Sequence, residues 1–210
     1  VRLTADGILL CSHDETIATR TGDQLPISTS TAAAAQHAAA AAGTKLATLP
    51  QMLAAAAAHP GCQLVVEAKP VATTTAAHQS AHALHAALTA AAPNIQVTVS
   101  SFDPNLLNLI RATTGPNIHT ALLGHAGTPA HTHLRTALDA GHDQIHLNIA
   151  DLHATPHIID QAHHLGVAVT AWTANTPTDL QWAHHHHLDA VITDDITTAL
   201  TTITTLTHAA

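Results

Sequence analysis

Thr4-Ala5-Asp6-Gly7-Ile8-Leu9-Leu10-Cys11-Ser12-His13-Asp14 is the stretch around which the rest of the chain is read. Asp-Gly suits a tight turn, because glycine tolerates positive φ and aspartate hydrogen-bonds its own backbone. Ile8 to Cys11 then reads as a buried strand. A polar His-Asp pair just past a buried strand is where α/β folds place their chemistry. Taken alone, His13 is more simply a surface histidine, one of 21 in the chain.

Working outward, Val1-Arg2-Leu3-Thr4 alternates apolar and polar residues and enters the turn as the end of a strand. Residues 15 to 29 are polar, with Gly22 and Pro26, and read as a long loop. Ser30 or Thr31 caps an alanine-rich helix over Ala32 to Ala42 that Gly43 stops. A second helix begins near Pro50 and ends at His59-Pro60. Beyond it, short apolar runs read as strands: Leu64 to Val66, Val97 to Val99, Thr120 to Leu123, Ile145 to Leu147, Val167 to Val169 and Ala190 to Ile192. Between them lie helices. Four open on a capping residue followed by proline, at Asp103-Pro104, Thr128-Pro129, Thr155-Pro156 and Thr176-Pro177, a spacing close to one βα unit. One apolar face marks each, as in Leu106, Leu107 and Ile110, or Ile196, Leu200, Ile203 and Leu206. The pattern is that of a parallel sheet covered by helices. With the strand before His13 it gives about seven strands, against eight and ~250 residues for a complete (β/α)8 barrel. A doubly wound open sheet is the alternative, but no Gly-x-Gly-x-x-Gly follows any strand.

Composition narrows the partners. The chain has 14 acidic and 6 basic residues, a net charge of −8, and only 1% aromatic residues. Such a surface disfavours nucleic acid and anionic membranes. No apolar run reaches membrane-spanning length, so stable membrane insertion is not expected. Cys11 and Cys62 are expected to be two buried free thiols. Trp182 reads as packing on a helix. The run His184-His185-His186-His187 points around a helix instead of converging, as do His163-His164 and His131-x-His133 in a histidine-biased chain.

In a barrel, residues just past the strands share one rim. Here these include His13-Asp14, Glu67-Ala68-Lys69, Ser100-Ser101-Phe102, Asn148, Trp172 through Asn175, and Thr193-Asp194-Asp195. Glu67 and Lys69 stand two apart on a strand and so face the same way. In a chain with 10% charged residues they read either as a salt bridge closing the rim or as a metal ligand beside a phosphate contact.

Six of these motifs together resemble the glycerophosphodiester phosphodiesterase family. They are Arg2-Leu3-Thr4-Ala5-Asp6-Gly7 with His13-Asp14, Leu46-Ala47-Thr48-Leu49 with Leu53, and Glu67-Ala68-Lys69. The others are Ser100-Ser101-Phe102, Gly166 through Asn175, and Asp189 through Thr193-Asp194. The resemblance spans essentially all 210 residues and implies a TIM barrel. It also implies metal-dependent hydrolysis of a small-molecule glycerophosphodiester to glycerol 3-phosphate and an alcohol. His13 matches a catalytic histidine, Glu67 a ligand of a divalent ion (Mg2+ or Ca2+), and Lys69 a residue near the phosphate. Phe102 and Trp172 match positions around the pocket mouth. Asp14 is expected to orient His13.

The family's other catalytic histidine and two further acidic ligands fall ahead of Val1, which itself reads as mid-strand. One carboxylate is a poor site for a hard cation that prefers about six or more oxygens. The expectation is therefore one partial barrel domain over 1–210, lacking its first βα unit and most of its second strand, and inactive by itself. A barrel relic acting as a binding protein is the first alternative, and a histidine-rich metal-binding protein the second.

Overall fold

The computed structural model describes residues 1–91 and 95–209, in two compact units, Val1–Ile118 and the chain from His119 onward. In the first unit, β1 (Arg2–Leu3) and β2 (Leu9–Leu10) form an antiparallel hairpin with Arg2 opposite Leu10. The strand before His13 is therefore a return strand, which corrects its reading as one of a parallel set. The turn explains why. Gly7 adopts φ +78° and donates to Thr4 O at 3.0 Å, while Thr4 N donates to Ile8 O at 2.9 Å, so the chain reverses on itself. Thr4 Oγ1 donates to Asp6 Oδ1 at 2.6 Å, and the same carboxylate oxygen accepts from Ala32 N at 3.0 Å. Val1 lies along the end of the next strand: its amine donates to Glu67 O, and its carbonyl accepts from Lys69 N at 3.2 Å.

Residues 15 to 29 are more ordered than a polar loop. β3 (Thr16–Ala18) and β4 (Gln24–Pro26) pair in register Ile17 to Leu25, and a 3-10 turn over Ile27–Thr29 follows. Alternation places Ile17 and Leu25 on the sheltered side, a signal masked by the surrounding threonines. α1 (Ala32–Ala41) is capped by Thr31, whose side chain accepts from Ala34 N. α2 (Leu49–Ala57) opens on a full capping box of Thr48 and Gln51.

β5 (Gln63–Glu67) and β6 (Gln96–Ser101) pair in parallel, with Glu67 opposite Ser100. The helices after them are α3 (Thr74–Ala91) and α4 (Pro104–Thr114). Asp103 caps α4 by accepting from Asn105 N and Leu106 N. Leu49, Leu53, Val66, Leu84, Val99, Leu106 and Ile110 make the core of this unit. Burial of these aliphatic side chains supplies the main stabilisation, at ~1.5–3 kcal/mol for each fully buried one.

The second unit continues the alternation. Its four parallel strands are β7 (His119–Leu123), β8 (Gln144–Asn148), β9 (Ala168–Trp172) and β10 (Ala190–Val191), adjacent in that order. Its helices are α5 (Ala130–Ala140), α6 (Ile149–Ala154), α7 (His157–His164), α8 (Pro177–His185) and α9 (Ile196–Ala209). Thr176 caps α8, as the Thr-Pro pattern implies. Thr128 and Thr155 do not cap α5 and α7, which begin one residue beyond their prolines. The Thr155 hydroxyl instead donates back to Asp151 O at 2.8 Å and closes α6.

Two expectations about burial change. Cys62 is exposed, because it lies in the turn before β5, whereas Cys11 is half-buried. On α9 the packed residue is Ala199, in a cluster with Ala174, Leu180 and Val191. Ile196 and Leu200 are 66% and 62% exposed, because the side of α9 that packs is the one carrying Ala199. Trp182 stacks between His153 and His186, with ring centroids 4.3 and 4.2 Å away, which fits its reading as a packing residue. Among the described residues, no helix is long and apolar enough to cross a membrane.

Candidate active site

Three of the five site residues expected from the sequence come together in the first unit. His13, Glu67 and Lys69 line one cavity of about 310 Å³, together with Cys11, Ser12 and Met52. Phe102 stands just past β6, outside that lining, and Trp172 ends β9 in the second unit, where its Nε1 donates to His146 O at 3.2 Å. A larger cavity of about 410 Å³ lies on the Ala68 side of the same strand end. It holds neither His13 nor Glu67.

His13 is placed by the hairpin. Past β2, Cys11 N donates to Ala47 O at 2.9 Å, which carries the chain along the segment before α2. Arg2, one strand over, donates to His13 O from Nε at 3.2 Å and from Nη2 at 2.9 Å. This fork fixes the backbone and leaves the ring in solvent, at 83% side-chain exposure. His13 Nδ1 lies 3.0 Å from Asp14 Oδ1. The imidazole bond, with smaller contributions from the Arg2 and Lys69 charges, holds the Asp14 carboxyl below the usual carboxylate range. With Nδ1–H donated to Asp14, Nε2 is the edge of the ring left for chemistry.

Glu67 and Lys69 are placed by the sheet. Lys69 Nζ sits 2.8 Å from Glu67 Oε2, at 11% and 29% side-chain exposure respectively. The salt bridge read from the sequence is therefore formed, and it occupies only one carboxylate oxygen. Glu67 Oε1 is buried with no hydrogen-bond partner. A buried carboxylate oxygen without a donor is costly, and a cation offsets that cost. Glu67 thus fits one ligand of a divalent ion. Among the described residues, no group of three His, Cys, Asp or Glu side chains is arranged to hold a metal. Any ion at Glu67 therefore takes its remaining oxygens from elsewhere, in the manner of Mg2+, which is commonly held by one or two carboxylates with phosphate and water.

Sequence reasoning missed the supporting residues. The Arg2 fork onto His13 O depends on a hairpin pairing that a parallel-strand reading does not contain. Cys11 on the cavity wall was legible only as a buried thiol, and its burial pushes the thiol pKa up. The hydroxyl of Ser101 bonds Ala68 O at 2.8 Å, a contact for which the only signal was the Ser-Ser-Phe motif.

Residues 1–198 match the model of the glycerophosphoryl diester phosphodiesterase family. No curated protein matches the chain. Among solved structures, a glycerophosphodiester phosphodiesterase from Parabacteroides distasonis is similar, with a TM-score of 0.81 at 20% identity, covering 100% of this chain and 82% of that one. An Oleispira antarctica phosphodiesterase in complex with the product sn-glycerol-3-phosphate gives 0.82 at 19% identity, covering 97% and 83%. The Thermotoga maritima glycerophosphodiester phosphodiesterase gives 0.74 at 20%, covering 98% and 82%. Likeness at this identity shows the fold class, α/β of the TIM-barrel type. The family match crosses both units and takes in every motif named above. The chain belongs to the glycerophosphoryl diester phosphodiesterase family.

Proposed function

We propose that the protein hydrolyses glycerophosphodiesters to glycerol 3-phosphate and an alcohol, with His13, Glu67 and Lys69 at the reacting phosphate. The observation that carries this reading is the meeting of those three side chains on one cavity, in a chain of this family. Water adds across the phosphorus–oxygen ester bond: its oxygen joins phosphorus, and the departing alkoxide needs a proton. His13 is the donor of that proton, as an imidazolium oriented by Asp14. Lys69 faces the phosphate as a cation, and its bond to Glu67 keeps the ammonium in place. A divalent ion held at Glu67 supplies further charge neutralisation on the phosphoryl oxygens when bound.

The test is an assay of glycerol 3-phosphate release from the glycerophosphodiesters of choline, ethanolamine and glycerol. It is run with Mg2+, with Ca2+ and with a chelator. Release that requires the ion and disappears in His13→Ala is the expected result. Failure of all three substrates under every ion condition removes the hydrolase reading for these 210 residues. A barrel that binds such diesters without cleaving them then takes its place, a reading that the single open carboxylate favours. Substrate-dependent thermal stabilisation without turnover identifies it.

A further inference from the structure

Ser101 closes β6 with its side chain fully buried. Its hydroxyl makes two bonds of opposite sense. Oγ donates to Ala68 O at 2.8 Å and accepts from Asp103 N at 3.1 Å. Ala68 is the residue between Glu67 and Lys69, and its own N–H donates to Ser100 O at 2.7 Å. The β5–β6 pairing register ends at Glu67 opposite Ser100. The hydroxyl carries the link one residue further, so that both backbone polar groups of Ala68 are tied to β6. Its other bond runs to Asp103, which caps α4. Ser101 is therefore anchored at the N-cap of a helix. A buried hydroxyl with both its roles used holds one geometry, and losing it leaves a buried carbonyl unpaired.

We infer that Ser101 is a positioning residue that sets the aim of the Glu67–Lys69 pair into the cavity. Glu67 and Lys69 leave the backbone on either side of Ala68. Rotation of the Ala68 carbonyl turns the peptide that leads into Lys69, and so disturbs the 2.8 Å ion pair that Lys69 makes with Glu67. Ser101 is not among the residues lining the cavity, and its bond toward the pair is made to Ala68. The inference rests on the hydrolytic reading for its kinetic consequence but not for its structural one.

The experiment compares Ser101→Ala, Ser101→Thr and Ser101→Cys in the full chain by two measurements. The first is steady-state hydrolysis of glycerophosphocholine. Ser101→Ala is expected to lower kcat by about tenfold to ~10²-fold with KM little changed, since small misplacements of reacting groups act on the chemical step. Ser101→Thr keeps the hydroxyl and restores kcat. The second is deuterium uptake of the peptide carrying residues 67–69, which does not need activity. Uptake there is expected to rise several-fold in Ser101→Ala while the remaining peptides and the melting temperature stay near wild type, with threonine again restoring protection. Should the alanine variant not fold, Ser101→Cys, a weak donor of similar size, takes its place with the same expectations. Unchanged uptake at 67–69, a rise spread over the whole chain, or unchanged kcat despite raised uptake each overturns the inference. Raised uptake confined to 67–69 in a chain whose wild type hydrolyses nothing leaves the positioning intact and defeats the hydrolytic reading instead.

Discussion

The two units treat polar side chains on their parallel strands in opposite ways. In the first, β5 ends in a carboxylate that holds an ammonium two residues on at 2.8 Å, and both open onto a cavity. In the second, β8 carries His146, 1% exposed, whose Nε2 reaches Gln144 Oε1 at 3.1 Å and whose Nδ1 is buried without a partner. Burial pushes the His146 pKa down to about 4, so the ring stays neutral at ordinary pH. A charge is kept where a counter-charge and an opening exist, and is given up where neither does. The first arrangement suits chemistry on a charged substrate. The second is packing by a histidine in the place of an apolar residue.

The largest expected effect separates chemistry from stability in the first unit. His13→Ala should lower turnover by ~10²–10⁴-fold, the range for a lost general acid. Because the ring is mostly in solvent, its unfolding free energy from denaturant titration should stay within about 0.5 kcal/mol of wild type. A variant that loses both equally makes His13 a structural residue.

Next comes the neutral histidine. Its folded pKa lies below the unfolded value of ~6.5, so the unfolded chain binds more protons between the two. Stability should therefore fall as pH drops from about 6.5 to about 4, by up to ~3 kcal/mol from this one group. Urea titrations at pH 7 and pH 4.5 measure it. His146→Leu should lose less stability on acidification than wild type. An identical pH slope in the two proteins would falsify the contrast.

The ion pair gives a smaller effect. Lys69→Met leaves Glu67 without its counter-charge, at a cost of ~1–3 kcal/mol once discounted for the partial exposure of the carboxylate. The double variant Lys69→Met, Glu67→Leu should recover most of that loss, while either change removes activity. Smallest is Asp14→Asn. It keeps the hydrogen-bonding shape but removes the charge, and should reduce turnover by about tenfold or less.

Much of this contrast was legible in the sequence. The parallel strands and their helices follow from apolar runs separated by capped, one-faced segments, and Glu67-x-Lys69 announces a shared face by spacing alone. The hairpin was not legible, because Ile8 to Cys11 is equally apolar whether its partner is a parallel strand or Arg2–Leu3. Only the Thr4–Ile8 bonds decide between the two. The α9 face misled for a related reason. Ile196, Leu200 and Ile203 share one stripe, but periodicity names an apolar face without naming what covers it, and here the neighbour is met by Ala199. His146 looked like any other histidine in the chain. Its neutrality comes from surroundings contributed by other strands.

The clasp at Cys11–Ala47 and the Leu10–Thr48 bridge bring the two ends of a long excursion side by side. The chain between them leaves and returns at a fixed gate, and in the turn within it Arg20 to Asp23 are exposed. Lengthening such a closed excursion adds little entropy cost, about 0.6 kcal/mol per doubling. Variation in length at that turn is thereby uncoupled from the position of His13. The fold has a place where new segments can be spliced in without disturbing the residues proposed to break the bond.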